Sequence, residues 1–352
     1  MPLNRPSKLH LQIEFRAFIL LICSNYAYSE TQSSERDIFV PNTISTQGQH
    51  LLKKLAEEKK YNREIPPLGN IEAWVAVQKA TEQKLKEGAD AVIDNYEVTV
   101  TNKTLGGVPV LEIIPNDWKD NGKVLVYTHG GAYTFFSAYS TLPSSGPMSR
   151  ATGMKLISVD YTLAPTNNWK KIQEDVVKVF EALLAEGYTM DDIAMYGDSA
   201  GGGLATSTVL NLRDKGMGMP AAIVLWAPWV DLSNKGDTAH TIADEDPLLD
   251  YKKLLEPSAL LFADGIDLDD PRVSPINADF SKGFPSVLIQ AGTKEIFLST
   301  AVRLFQKLEA QGQDATLDIY EGMPHVFQQF EIPESKIAID KSAAFIKKHL
   351  GN

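Results

Sequence analysis

An α/β fold is what the sequence predicts: a mostly parallel eight-stranded sheet with helices on both faces and a helical cap. Three observations predict it. Short apolar runs of strand length alternate with longer stretches whose apolar residues recur at helical spacing. Alternation of that kind points to a parallel sheet covered on both faces. Finally, Gly197-Asp198-Ser199-Ala200-Gly201 lies between a short apolar run and a helix-like stretch, so a serine stands on a sharp strand-to-helix turn.

The chain starts with a segment unlike the rest. Arg5, Lys8 and Arg16 precede the apolar run from Ala17 to Cys23, and Ala27-Tyr28-Ser29 follows with small residues. Residues 1–29 therefore read as a secretory signal cleaved after Ser29, which implies a secreted or periplasmic protein; a cytoplasmic leader is the alternative. Cys23 is the only cysteine. A mature chain of residues 30–352 would have neither a disulfide nor a reactive thiol.

From His50 to Lys86 the spacing of Leu51, Leu52, Leu55, Trp74, Val75 and Val77 predicts two helices, interrupted by Pro66-Pro67. Eight strand-like runs follow: Tyr96–Thr101, Val108–Ile114, Val124–Thr128, Lys155–Asp160, Ile193–Tyr196, Ile223–Ala227, Val287–Gln290 and Ala315–Tyr320. The first runs have no helix between them and predict an antiparallel edge. Helices are expected over Ile172–Ala185, Ala200–Arg213, Thr300–Ala310 and Lys336–His349. Asp231–Pro275 breaks the alternation: it is long, acidic and only partly helical, over Tyr251–Phe262. A long insertion commonly covers a site. Residues 30–352 thus read as one domain, with a cap from about 38–90 and 232–275.

The bulk numbers narrow the function. The 352 residues carry a formal net charge of -11, which disfavours nucleic acid and anionic membranes as partners. No apolar run of about 18 residues is present to span a membrane.

A serine hydroxyl becomes a nucleophile only with a base in hydrogen-bond reach and an acid to orient that base. Of the six histidines, His325 follows the last strand in the turn Glu321–Phe327 and can be presented over the sheet. Glu295 follows the seventh run and a glycine turn, where an orienting acid is held, and is favoured over Asp314 and Asp318. Backbone N–H groups of Gly130, Gly131 and Ala200 are the expected oxyanion donors. Tyr133, Trp229 and Phe327 are candidate pocket residues, with Phe135 and Phe136 nearby, although aromatic residues near strand ends are more often core.

Together these residues resemble the hormone-sensitive lipase family of α/β-hydrolases, which includes the bacterial family IV esterases. The family's His-Gly-Gly-Gly motif corresponds to His129-Gly130-Gly131-Ala132, and its Gly-Asp-Ser-Ala-Gly-Gly motif is met in full by residues 197–202. Its Asp-Tyr-Arg-Leu-Ala-Pro-Glu motif corresponds to Asp160–Thr166, with Thr162 and Thr166 in place of an Arg and a Glu that support the site loops in many members. Glu295 stands where many members carry Asp. The resemblance runs from about Asp37 to the C-terminus. It implies the α/β-hydrolase fold and a serine carboxylesterase acting on short- to medium-chain esters, with Ser199, His325 and Glu295 as the catalytic residues. The resemblance requires no metal or organic cofactor. It implies a small-molecule ester or lactone as the partner and allows a homodimer. An ε-lactone hydrolase is the same-chemistry alternative. A non-hydrolytic binding relative, like the plant gibberellin receptors that lack the histidine, is the alternative from another class. His325 speaks against it.

Overall fold

The computed structural model describes residues 38–59 and 65–351. The leader, residues 1–29, and its Cys23 lie outside the described residues. Eight strands form one sheet in the order β1-β2-β4-β3-β5-β6-β7-β8. β1 (Val98–Leu105) and β2 (Val108–Pro115) make a hairpin, and β2 runs antiparallel to β4 (Lys155–Val159). β3 (Val124–Thr128), β4, β5 (Ile193–Asp198), β6 (Ala222–Trp226), β7 (Ser286–Lys294) and β8 (Ala315–Pro324) are mutually parallel. The antiparallel edge expected from the sequence is the β1–β2 hairpin.

The central strands are buried on both faces, and their alternation assigns residues to two cores. Val124 and Val126, Ile193 and Met195, Ile223 and Leu225, and Val287 and Ile289 point to one face. Leu125 and Tyr127, Ala194 and Tyr196, and Val224 and Trp226 point to the other. The period of two along a pleated strand produces this division. Helices then cover each side with an apolar stripe. On α4 (Trp169–Ala185), Ile172, Val176, Val179, Phe180 and Leu183 are buried at helical spacing. α5 (Ala200–Asp214) and α8 (Leu298–Ala310) cover the same face, and α9 (Pro333–Leu350) covers the other.

One helix was not expected. α3 (Leu142–Thr152) contains Pro147 and Gly146 and shows no apolar periodicity. It is buried almost all round, so no stripe distinguishes its inner face. A Cβ at Gly146 would overlap Val92, so α3 and the helix that carries Val92 approach too closely for a larger residue. The helix stops at Gly153, which takes the left-handed conformation (φ 69°) that glycine reaches without strain.

The two segments read from the sequence as a cap meet over the loop that follows β3. α1 (Thr46–Lys59) and α2 (Ile71–Asn95) come from the first, and a π-helical turn (Tyr251–Leu255) continuing into α7 (Glu256–Ala263) from the second; a short helix, α6 (Thr238–Thr241), precedes them. Trp74 of α2 packs on Phe135 with ring centroids 5.7 Å apart, and Leu254 and Leu261 join the same cluster. Gln78 Nε2 donates to the carbonyls of Thr134 (2.7 Å) and Ala164 (2.9 Å). Among the described residues, no helix is long and apolar enough to cross a membrane.

Candidate active site

The C-terminal ends of the parallel strands lie along one edge of the sheet, and the candidate residues follow β3, β5, β7 and β8 at that edge. In open α/β sheets this is where ligands bind.

Ser199 joins β5 to α5 in a conformation that side chains rarely adopt, φ 53° and ψ -124°. Such a residue stores of order 1–3 kcal/mol of strain and persists only when its surroundings impose it. Here its N–H donates to Trp226 O (2.9 Å), and its carbonyl accepts from Trp229 N–H (2.8 Å) and Gly202 N–H (3.0 Å). Gly201 is needed for close approach: a Cβ there would overlap the carbonyl oxygens of Thr128 and His129. The turn thus brings the start of α5 against the loop after β3.

That loop carries the other candidate donors, and here the structure corrects one expectation. The Gly130 N–H donates to Asp198 Oδ1 at 3.2 Å, so it is committed to the fold and does not face a substrate oxygen. Among the described residues, the N–H groups of Gly131, Ala132 and Ala200 have no hydrogen-bond acceptor. Ala200 opens α5, whose first N–H groups have no partner within the helix. Gly131 (φ 106°), Ala132 (φ 53°) and Tyr133 (φ 61°) all have positive φ, so the backbone coils tightly here. Ala132 therefore occupies a conformation in which the family's glycine would be unstrained.

Asp198, immediately before the serine, braces the loop. Its carboxylate accepts from Tyr127 OH as well as from Gly130. It is fully buried, and burial raises its pKa to about 6 against the opposing pull of Tyr127, His325 and Gly130. His129 is also structural. Its Nδ1 lies 2.7 Å from Gly130 O, and because a carbonyl only accepts, Nδ1 carries the proton. Burial lowers its pKa to about 4. The ring stacks on Tyr161 (centroids 4.1 Å apart), and Tyr161 OH donates to His129 O at 2.6 Å. Thr162 N–H and Oγ1 both donate to Asp175 Oδ2, at 3.1 and 2.8 Å, so Asp175 anchors this segment where the family has an arginine.

Glu295 and His325 meet. His325 Nδ1 lies 2.8 Å from Glu295 Oε2, while Glu295 Oε1 accepts the Gly292 N–H at 2.6 Å. Glu295 is 0% exposed and His325 6%. Burial pushes the Glu295 pKa up, while His325 and the Gly292 N–H pull it down. With Nδ1–H given to the carboxylate, a neutral imidazole presents its lone pair at Nε2. The rival acids are engaged elsewhere. Asp318 pairs with Lys341 (2.7 Å) and accepts from Gln290 (3.1 Å), and Asp314 accepts from Ser286 (2.6 Å).

An aromatic series connects this pair to the serine turn. Phe297 meets the His325 ring edge-on at 5.2 Å and stacks with Trp229 at 5.8 Å, and the backbone N–H of Trp229 holds the Ser199 carbonyl. Trp229 continues to Tyr133 (5.9 Å) and Tyr133 to Phe262 of α7 (3.7 Å). Tyr133 and Trp229 are both buried in the main core, and of the two Trp229 bonds directly to Ser199, through its backbone. Phe327 does not join them. It packs with Tyr320, Met323, Ile332 and Ala338 in a separate cluster with Leu51 of α1, so its role is core packing. Sequence reading missed the bracing by Asp198; its position in the G-x-S-x-G frame was the available signal.

Residues 125–329 match the α/β hydrolase fold family. The chain is 32% identical to an acetyl-hydrolase of Streptomyces hygroscopicus over 66% of this chain and 78% of that protein. It is likewise 32% identical to an esterase of Acinetobacter venetianus, over 63% of this chain and 74% of that one. A crystal structure of an esterase from the bacterial hormone-sensitive lipase family superposes with a TM-score of 0.78 at 28% identity, covering 87% of this chain and 99% of the other. With its fold, its G-x-S-x-G turn and these relatives, the chain belongs to the hormone-sensitive lipase family of α/β-hydrolases.

Proposed function

We propose that the protein is a serine carboxylesterase in which Ser199, His325 and Glu295 act together. The observation that carries this reading is the hydrogen bond between Glu295 and His325 at the strand edge that also presents Ser199. Ser199 Oγ attacks the ester carbonyl carbon, and His325 Nε2 accepts its proton. The tetrahedral oxyanion is held by the N–H groups of Gly131, Ala132 and Ala200. His325 then protonates the departing alcohol, leaving an acyl group on Ser199. Water repeats the sequence: His325 takes its proton, the acyl bond breaks as the carboxylic acid forms, and the proton returns to Ser199. Glu295 keeps the Nδ1 proton in place throughout and stabilises the imidazolium.

Acyl chains of short to medium length suit this site. Trp229, whose backbone N–H binds the Ser199 carbonyl, leads through stacked rings to Tyr133 and Phe262, and α2 and α7 converge on Phe135 of the loop after β3. Hydrolysis of p-nitrophenyl acetate through palmitate by the full chain, with Ser199→Ala alongside, tests both parts. Activity peaking at short chains and lost in the variant is expected. Equal activity in both proteins, or a preference for palmitate, would contradict the reading.

A further inference from the structure

The segment between β6 and β7 carries a buried carboxylate for which the chemistry above has no role. Asp246 is 0% exposed. Its Oδ1 accepts the N–H groups of Leu248 (2.8 Å) and Leu249 (2.9 Å), and its Oδ2 accepts the Ile296 N–H at 2.9 Å. Ile296 is the residue immediately after Glu295.

Further contacts join the same two segments. Thr238 Oγ1 donates to Ile296 O (2.8 Å) and accepts the Ser299 N–H (2.9 Å). Lys294, immediately before Glu295, pairs with Glu245 at 2.6 Å. That pair is partly exposed and contributes little by itself. Asp246 and Thr238 are different, because they hold both backbone polar groups of Ile296. β7 ends at Lys294 and α8 starts at Leu298, so the Glu295–Phe297 link lies between the regular elements and depends on outside partners. Placing a carboxylate there is costly, since burial raises the Asp246 pKa. The interaction is also felt at the site: His325 lowers that pKa electrostatically, and Asp246 in turn raises that of Glu295.

We propose that Asp246, assisted by Thr238, is a positioning residue that holds Glu295 in register with His325, so that the covering segment and the catalytic acid form one mechanical unit. The inference rests on Glu295 being the acid partner of His325. Displacement of a catalytic group by about 1 Å costs on the order of 10²-fold in rate, and Asp246 grips the backbone one residue after Glu295, adding to the Leu298 N–H that the Glu295 carbonyl accepts at 3.2 Å.

A double-mutant cycle on the full chain with p-nitrophenyl butyrate tests it. Asp246→Asn keeps the size but turns an N–H₂ toward one set of donors. We expect kcat to fall roughly 10- to 100-fold, KM to change less than about threefold, and the loss to shrink below about twofold when Glu295 is already Gln. Thr238→Val removes only a neutral hydroxyl and should show the same pattern at roughly three- to tenfold; it carries the test if Asp246→Asn fails to fold. Unchanged kcat, a loss confined to KM, or the same loss in both backgrounds would overturn the proposal. If Glu295→Gln alone were as active as wild type, the assignment of the acid would fail first, and this inference with it.

Discussion

Asp198→Asn should stabilise the folded protein above pH 6 and not below pH 4. The carboxyl is fully buried, and burial lifts its pKa from 3.8 to about 6. The gap is roughly two pH units at about 1.4 kcal/mol each, so ionising the group in the folded state costs about 3 kcal/mol. The folded state binds this proton more tightly than the unfolded state. Its contribution is therefore fully present below pH 3.8, is lost as the pH rises through about 6, and is constant above that. Asparagine is neutral throughout, and its Oδ1 can accept from Tyr127 OH and the Gly130 N–H as the carboxylate does. Its N–H₂ gains no assigned acceptor, a cost of about 1 kcal/mol at every pH. The variant should be about 1 kcal/mol less stable near pH 4 and about 2 kcal/mol more stable near pH 7.5. Equilibrium urea unfolding of both proteins at the two pH values measures the difference. A difference that does not change with pH would refute the argument, because it would mean that the buried carboxyl carries no ionisation penalty.

Other substitutions test other parts of the account. Glu295→Gln should lower kcat about 10²- to 10⁴-fold with KM little changed, while Asp314→Asn and Asp318→Asn stay within about twofold of wild type by the same steady-state assay. Gly201→Ala would drive a methyl into the Thr128 and His129 carbonyls, and should cost more than about 3 kcal/mol, seen as a large fall in melting temperature or loss of soluble protein. Ala132→Val puts a β-branched residue at φ 53° beside the oxyanion position; kcat should fall about 10²-fold or more, with intact secondary structure by circular dichroism.

Much of this was legible in the sequence for identifiable physical reasons. Central strands of a parallel sheet are apolar on both faces, so β3, β5 and β6 stand out as short continuous runs. Amphipathic helices such as α4 reveal themselves by period. α3 does not, because a helix buried on all sides needs small residues for close approach instead of a stripe. The G-x-S-x-G frame marked the serine turn, and chain order singled out Glu295 and His325, which the structure brings within hydrogen-bond distance. What sequence alone could not supply is where a given N–H points. Gly130 and Gly131 are adjacent and identical, yet one N–H is bound by Asp198 and the other has no acceptor among the described residues. Phe327 was misplaced for a related reason: two residues beyond His325, its ring turns toward α9 and packs there. Asp246 lies in the acidic Asp231–Pro275 stretch, which the sequence marks only as a covering insertion, and only the fold shows its carboxylate holding the link after Glu295.

The central claim is that Ser199 is the nucleophile activated by His325. The most direct measurement is reaction of the full chain with a fluorophosphonate, followed by peptide mass spectrometry. A single adduct on Ser199, formed at a much lower rate in His325→Ala, is the predicted result. An adduct on another residue, or labelling of Ser199 at the same rate without His325, would contradict the claim.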